Sequence, residues 1–269
     1  MLQKGELMIR GLYTAASGML AMQTQIDVTS NNISNVNTTG FKKDRAEFQD
    51  LMYEALNYTG GATSDVSRNP TGIDVGMGVR VSGIQKAFLQ GNLKQTGNDL
   101  DIAIEGKGFF QITLPNGEPA YTRNGAFKVD DEGAIVNGQG YRLEPEIVIP
   151  ENLTNLSIAL DGTVSAMNPT TGATEVLGQI TIIDFVNPAG LSPYGDTLFI
   201  ESEASGAPIE GIPTVDAFGS LRQGMIESSN VALVNEMVDL ITAQRAYEAN
   251  SKAITTTDDM LDIVNRLKR

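Results

Sequence analysis

Apolar residues recur near the end of the chain at Val234, Val238 and Ile241, then at Tyr247, Ile254, Leu261, Val264 and Leu267, at spacings of three, four or seven with one slip. Near the start, Ile9, Leu12, Ala16, Met19, Gln23, Ile26 and Ile33 keep the same rhythm with one polar interruption. This period predicts two amphipathic helices, each with a stripe to bury. The first is expected over Ile9–Asn35. It is closed by a run rich in Ser and Asn and by Gly40, which tolerates the positive φ of a helix exit. For the second, Ser228, Ser229 and Asn230 are candidate N-caps. Two such helices at opposite ends of one chain can satisfy each other by packing together. With about 30 residues each, they would make a rod about 45 Å long. Their stripes hold Ala, Gln, Thr and Met where a dimeric coiled coil favours Leu, Ile or Val, so the pair should need neighbouring molecules to become stable.

From Gly78 to Ile200 the period becomes two. Turn signals such as Pro115-Asn116-Gly117, Arg123-Asn124-Gly125, Asp131-Glu132-Gly133, Asn137-Gly138, Asp161-Gly162 and Thr171-Gly172 separate short runs. Asp101–Ile104, Phe109–Leu114, Ala134–Val136 and Gln179–Phe185 read as strands of an all-β antiparallel body, sandwich or barrel-like. The fold class is therefore α+β, with paired terminal helices and a central all-β domain. Between the first helix and that body, Asp44–Leu56 reads as partly helical, with Phe48, Leu51, Met52 and Leu56 on one side, and 57–78 reads as a loop. The glycines there are not followed by Gly-Lys-Ser/Thr, so they make no phosphate loop.

Composition removes much chemistry. The 269 residues include no Cys, His or Trp, which excludes disulfides, thiolate metal sites and the commonest general base. Acidic pairs at Asp99/Asp101 and Asp130/Asp131 fit solvated turns better than the fixed carboxylate separation of a glycosidase. Asp130-Asp131-Glu132-Gly133 lacks the alternating ligands of a calcium loop. No catalytic residue, cofactor or metal is expected. The net charge is -14, unevenly placed: residues 1–45 sum to +2 and 231–269 to -1, leaving -15 in the middle. Like-charged surfaces repel, so a self-associating chain of this kind would bring its ends together and keep its middles apart. Nucleic acid is not an expected partner. The chain has no membrane-spanning run and no cleavable secretory signal, so export would use another route. Residues 1–7 fall outside the helical pattern, and Met8 is a candidate physiological start.

Two motifs, one near each end of the chain, carry a family resemblance. Asn31-Asn32-Ile33-Ser34-Asn35, followed by Thr39-Gly40-Phe41-Lys42, resembles the N-terminal signature of the flagellar rod and hook family. Ser229-Asn230-Val231, Glu236-Met237-Val238 and Gln244-Arg245-Ala246-Tyr247-Glu248-Ala249-Asn250-Ser251-Lys252 resemble its C-terminal signature, in the form typical of the distal rod. Leu100–Phe110 also looks like a family motif, and reads as a strand and glycine turn against an aromatic core pair. The resemblance covers the chain from Met8 onward. It implies a structural, non-enzymatic subunit that polymerises into a straight, stiff, hollow helical tube transmitting torque and forming the export channel. It divides the chain into an extension (1–7), an N-terminal helix (8–40), a connecting segment (41–95) with a rod-specific stretch about 53–70, a β domain (96–224) and a C-terminal helix (225–269). The implied partners are further copies of the chain, proximal rod proteins, hook protein, the flagellar type III export apparatus, a rod-capping protein and, where an outer membrane exists, bushing rings. The implied location is the basal body outside the cytoplasmic membrane, in periplasm or cell wall, without embedding in a membrane. The expected subunit contacts are Asn31, Asn32, Asn35, Thr39, Gly40, Phe41, Gln244, Arg245, Tyr247, Glu248, Asn250 and Lys252. Alternatives are a proximal rod or hook subunit, or a secreted adhesin-like β module presenting Tyr121, Tyr141 and Tyr194.

Overall fold

The computed structural model describes residues 2–57, 72–150, 152–169 and 172–267. The chain divides into two units: one holds residues up to Ile33, Asp44–Gln85 and Leu233 onward; the other holds Ser34–Lys43 and Lys86–Ala232.

The first unit contains both long helices, α1 (Leu2–Ser34) and α2 (Leu233–Leu267). α1 starts at Leu2, earlier than the expected Ile9. The intervening residues are mostly good helix formers, and one Gly in a helix costs only about 1 kcal/mol. α2 starts at Leu233, so Ser228, Ser229 and Asn230 all precede its cap position. The helices run antiparallel: a Cβ on Gly18 would sit 2.8 Å from Asn250 Nδ2, and Asn32 Nδ2 donates to Glu236 Oε2 at 3.1 Å. These two contacts are 14 residues apart in both helices, two heptads of one seam.

The seam differs from the predicted stripes. On α2 it follows buried Glu236 and Ala243 and half-buried Leu240, Asn250, Ile254 and Leu261. The predicted residues Val234, Val238 and Ile241 are 74%, 56% and 50% exposed. The slip after Ile241 is thus a change of face. Small residues at the seam, Gly18 and Ala21 on α1 and Ala243 on α2, allow the helices to approach closely.

Strands, not helix, follow α1: β1 (Asp44–Asp50), β2 (Tyr53–Asn57), β3 (Ile73–Gly76) and β4 (Val79–Lys86). β1 pairs with β4, and β2 antiparallel with β3 through Tyr53↔Gly76 and Glu54↔Val75. The helical spacing of Phe48, Leu51, Met52 and Leu56 is overridden by the pairing of β1 with β4 and of β2 with β3, a tertiary effect on a weak local preference. Most of the expected rod-specific stretch, 58–70, lies outside the described residues.

The second unit is all-β apart from one 3-10 turn and the short segment 34–43. Its largest sheet has seven antiparallel strands in the order Ser192–Gly195, Leu198–Ile200, Pro119–Thr122, Phe110–Thr113, Arg142–Glu144, Ile135–Val136 and Lys128–Val129. A three-stranded sheet over Thr154–Ile158, Thr163–Met167 and Thr174–Gln179, and several two-stranded ladders, complete it. The sheets are open, so the barrel-like alternative gives way to packed layers. Alternation at Phe109 and Phe110 sends the two rings to different cores. Phe110 packs edge-to-face on Phe127, beside Ile102, Ile112 and Ile180. Phe109 joins Tyr121, Phe185 and Phe199. The expected turns hold where glycine takes positive φ, as at Gly117, Gly133 and Gly162. Gly125 serves another need: a Cβ there would lie 1.6 Å from the Ile102 carbonyl oxygen, so the chain passes too close for any side chain.

Candidate functional site

The expected contact residues fall into three groups. In the helical unit, Asn32 is buried and its amide is spent internally. Nδ2 donates to the Asp44 carbonyl at 2.9 Å as well as to Glu236, and Oδ1 accepts from the Asp44 amide at 2.8 Å. One side chain therefore ties α1, α2 and β1 together. Glu236 occupies the first turn of α2, where the positive end of the helix dipole favours a carboxylate. Asn250 is half-buried against Gly18.

The second group belongs to the β unit and forms a lock. Gly40, at φ +70°, donates its amide to the Glu227 carbonyl at 2.8 Å. Two residues on, the Lys42 ammonium donates to Glu227 Oε1 at 2.6 Å and to the Leu89 carbonyl at 2.8 Å. The Gly91 amide reaches the same carboxylate oxygen at 2.7 Å. Arg123 approaches Glu227 Oε2 at 3.4 Å through Nη1, donates to the Gly106 carbonyl at 2.7 Å through Nη2, and lies over the Phe109 ring. The Lys42 and Glu227 side chains are fully inaccessible. Burial lowers the pKa of the Lys42 ammonium, an effect Glu227 opposes, and Arg123 is lowered for the same reasons. Alongside, Asn230 accepts from the Lys43 amide at 2.8 Å and donates to the carbonyls of Ala87 and Leu89 at 2.7 and 3.0 Å. That bridging role explains why Asn230 does not cap α2. Thr39 and Phe41 are half-buried, with Lys86 Nζ 5.2 Å from the centre of the Phe41 ring. Asn35 and Phe41 line a cavity of about 420 Å³ with Lys86, Asn124 and Thr197.

The third group is exposed: Asn31 on α1, and Gln244, Arg245, Tyr247, Glu248 and Lys252 on α2. At spacings of four and three, Val234, Val238, Ile241, Arg245, Glu248 and Lys252 form one face of α2, apolar in its first half and charged in its second.

Sequence reasoning missed Glu227 and Arg123. Nothing local distinguishes an acid after Met225-Ile226, or an arginine in an Arg-Asn-Gly turn, from surface charges, and only their meeting with Lys42 marks them. Of the acidic pairs, Asp130 and Asp131 are solvated as expected, with Asp130 Oδ1 accepting from the Asp131 amide, whereas Asp101 is buried and accepts from Thr96 Oγ1 and Asn98 Nδ2. Of the three tyrosines expected at the tips of an adhesin, Tyr121 is buried in the aromatic core.

Comparison with known proteins places these features in one family. The profile of the flagella basal body rod proteins matches residues 12–42, that of the flagellar hook protein FlgE/F/G D1 domain residues 103–166, and that of the flagellar basal body rod FlgEFG C-terminus residues 222–267. The chain is 50% identical to the flagellar basal-body rod protein FlgG of Borreliella burgdorferi over 264 residues, covering 97% of this chain and all of that protein. It is 46% identical to FlgG of Caulobacter vibrioides over 261 residues, and 39% identical to FlgG of Bacillus subtilis over 268, with the same coverage in both.

Proposed function

The chain belongs to the FlgG family of flagellar basal-body rod proteins, and from that premise we propose that it builds the distal rod, polymerising into a straight, stiff, hollow helical tube that transmits torque and encloses the export channel. The observation that carries this reading is the exposed apolar half of the α2 face, Val234, Val238 and Ile241. A soluble monomer gains nothing from such a stripe, whereas burying each side chain against a neighbour contributes about 1.5–3 kcal/mol. Heterologous contacts that do not close into a ring generate a helical polymer. Folding of the helical ends would be coupled to that docking, because isolated helices are marginal in water and burial against neighbours offsets their ordering entropy. No described helix is long and apolar enough to cross a membrane. The proposed location is the basal body outside the cytoplasmic membrane, reached through the type III export apparatus without a cleaved signal. The proposed partners are further copies, proximal rod, hook and capping proteins, and bushing rings where an outer membrane exists. The protein acts as a scaffold and not as an enzyme.

The absence of cysteine makes the reading directly testable. Val176, on the Thr174–Gln179 strand of the β unit, is 69% exposed. With Val176→Cys labelled by maleimide-gold in purified basal bodies, gold is expected along the straight shaft below the hook. Gold on the curved hook or at the shaft base would reassign the chain within the flagellar rod and hook proteins, and no gold, with the free protein labelling normally, would favour the adhesin-like module. Arg245→Glu is expected to abolish rods in electron micrographs while leaving the thermal melt of the purified chain unchanged, because Arg245 is exposed on α2.

A further inference from the structure

The helical unit carries a second exposed apolar face, on the described residues of its β ribbon. Phe48 on β1, Met52 in the β1–β2 link, Met77 in the β3–β4 link and Ile84 on β4 are all exposed, Met52 at 85%. The Ala87 amide donates to the Lys43 carbonyl and the Met77 amide to the Met52 carbonyl. In the antiparallel register set by the first of these bonds, Phe48 and Ile84 share one face. The second bond places Met52 beside Met77 at the far end of the ribbon. Around this row the described ribbon residues 44–57 and 72–85 hold five acidic side chains and two arginines. Asp50 is exposed between Phe48 and Met52.

A helical polymer needs two different complementary surfaces on each subunit, because a surface that pairs with its own copy closes into a dimer. The α2 face and the ribbon face meet that requirement. Each is apolar at one part and charged at another. The net charges are opposite: the charged half of the α2 face carries Arg245 and Lys252, seven residues or about 10 Å apart along the helix, with Glu248 between them, for a net of +1, and the ribbon is net acidic. Resting on the rod reading above, we infer that the α2 face of one copy docks on the β1–β4 ribbon of the next. Val238 and Ile241 meet Phe48 and Ile84, and Arg245 lies against Asp50. The contact is therefore head-to-tail: every subunit uses its C-terminal helix as donor and its ribbon as acceptor.

Two exposed isoleucines make the test. Cells expressing Ile84→Cys, Ile241→Cys or the double variant are scored for rods by electron microscopy, and isolated basal bodies are then oxidised and run on a non-reducing gel. The double variant is expected to give a ladder of disulfide-linked multimers and each single variant only monomer. Rods without a ladder in the double variant would overturn the contact and leave the rod reading standing. Cross-linking of Ile241→Cys alone would also overturn it, by showing that α2 meets α2. Should the double variant form no rods, the charge exchange decides: Asp50→Arg and Arg245→Glu each abolish rods, and their combination is expected to restore them, with failure of rescue refuting the pairing. Basal bodies that never contain the Val176→Cys label would sink the rod reading itself.

Discussion

Glu227→Gln is expected to destabilise the β unit by about 3–5 kcal/mol, the usual consequence of leaving a buried charge without its partner. The side chain keeps its shape but loses an acceptor as well as its charge, because the new NH2 would face donors at either end, Lys42 and Gly91 at one oxygen or Arg123 at the other. In the native lock one carboxylate faces two cations, Lys42 at 2.6 Å and Arg123 at 3.4 Å, with both acidic and lysine side chains sealed from water. Without that anion, Lys42 must lose its proton or remain charged in an apolar site, and Arg123 cannot lose its own. Its Nε already finds no acceptor among the described residues. Urea unfolding followed by circular dichroism would measure the loss, with the exposed Glu201→Gln as a control expected to shift the midpoint little. An unchanged midpoint for Glu227→Gln would mean that the lock contributes no net stability.

Gly40→Ala should be nearly as damaging, for a steric reason. At φ +70° a Cβ costs about 1–2 kcal/mol. Here it would also lie 2.6 Å from the Asn124 nitrogen and 2.8 Å from the Arg123 carbonyl carbon, both backbone atoms that cannot rotate aside. If the chain retreats, the Gly40 amide loses its bond to Glu227 and a buried donor goes unsatisfied, about 1–3 kcal/mol more. Gly83→Ala is the comparison: a Cβ there meets nothing within 4 Å and its φ is ordinary, so the same change is expected to be neutral or slightly stabilising. Thermal melts of the two variants side by side would separate a general intolerance of alanine from a requirement at this turn.

The glycine at 40 was legible as a helix exit, but its second duty, close approach to 123–124, was not, because the partner lies more than 80 residues away in sequence. The same distinction runs through the molecule. Helices at both ends and a turn-punctuated β body follow from local period and turn chemistry, and the structure keeps them. Which face of α2 is buried did not follow from hydrophobicity. The seam takes Glu236, Ala243 and Asn250 because α1 offers Asn32 and Gly18 opposite them, and the more apolar Val234, Val238 and Ile241 are left outside. Asp44–Leu56 carries a helical spacing but forms strands, because its partners β3 and β4, some twenty to thirty-five residues downstream, decide between helix and strand. Of the candidate contacts, Asn31 on α1 and those on the exposed faces of α2 remain proposed subunit contacts, while Asn32, Gly40 and Asn250 are tied by contacts within their own chain.

The Asn230 bridge also bears on mechanics. Lys43, Ala87 and Asn230 stand next to three of the places where the polypeptide leaves the β unit, after Lys43, before Lys86 and after Ala232, and a single amide side chain stitches the three segments together. A force pulling on one exit is therefore distributed over all three, and strands loaded in parallel must give way together instead of peeling one bond at a time. In a shaft that turns, this arrangement would let the β unit of each subunit carry load at its chain exits without unravelling from any one of them.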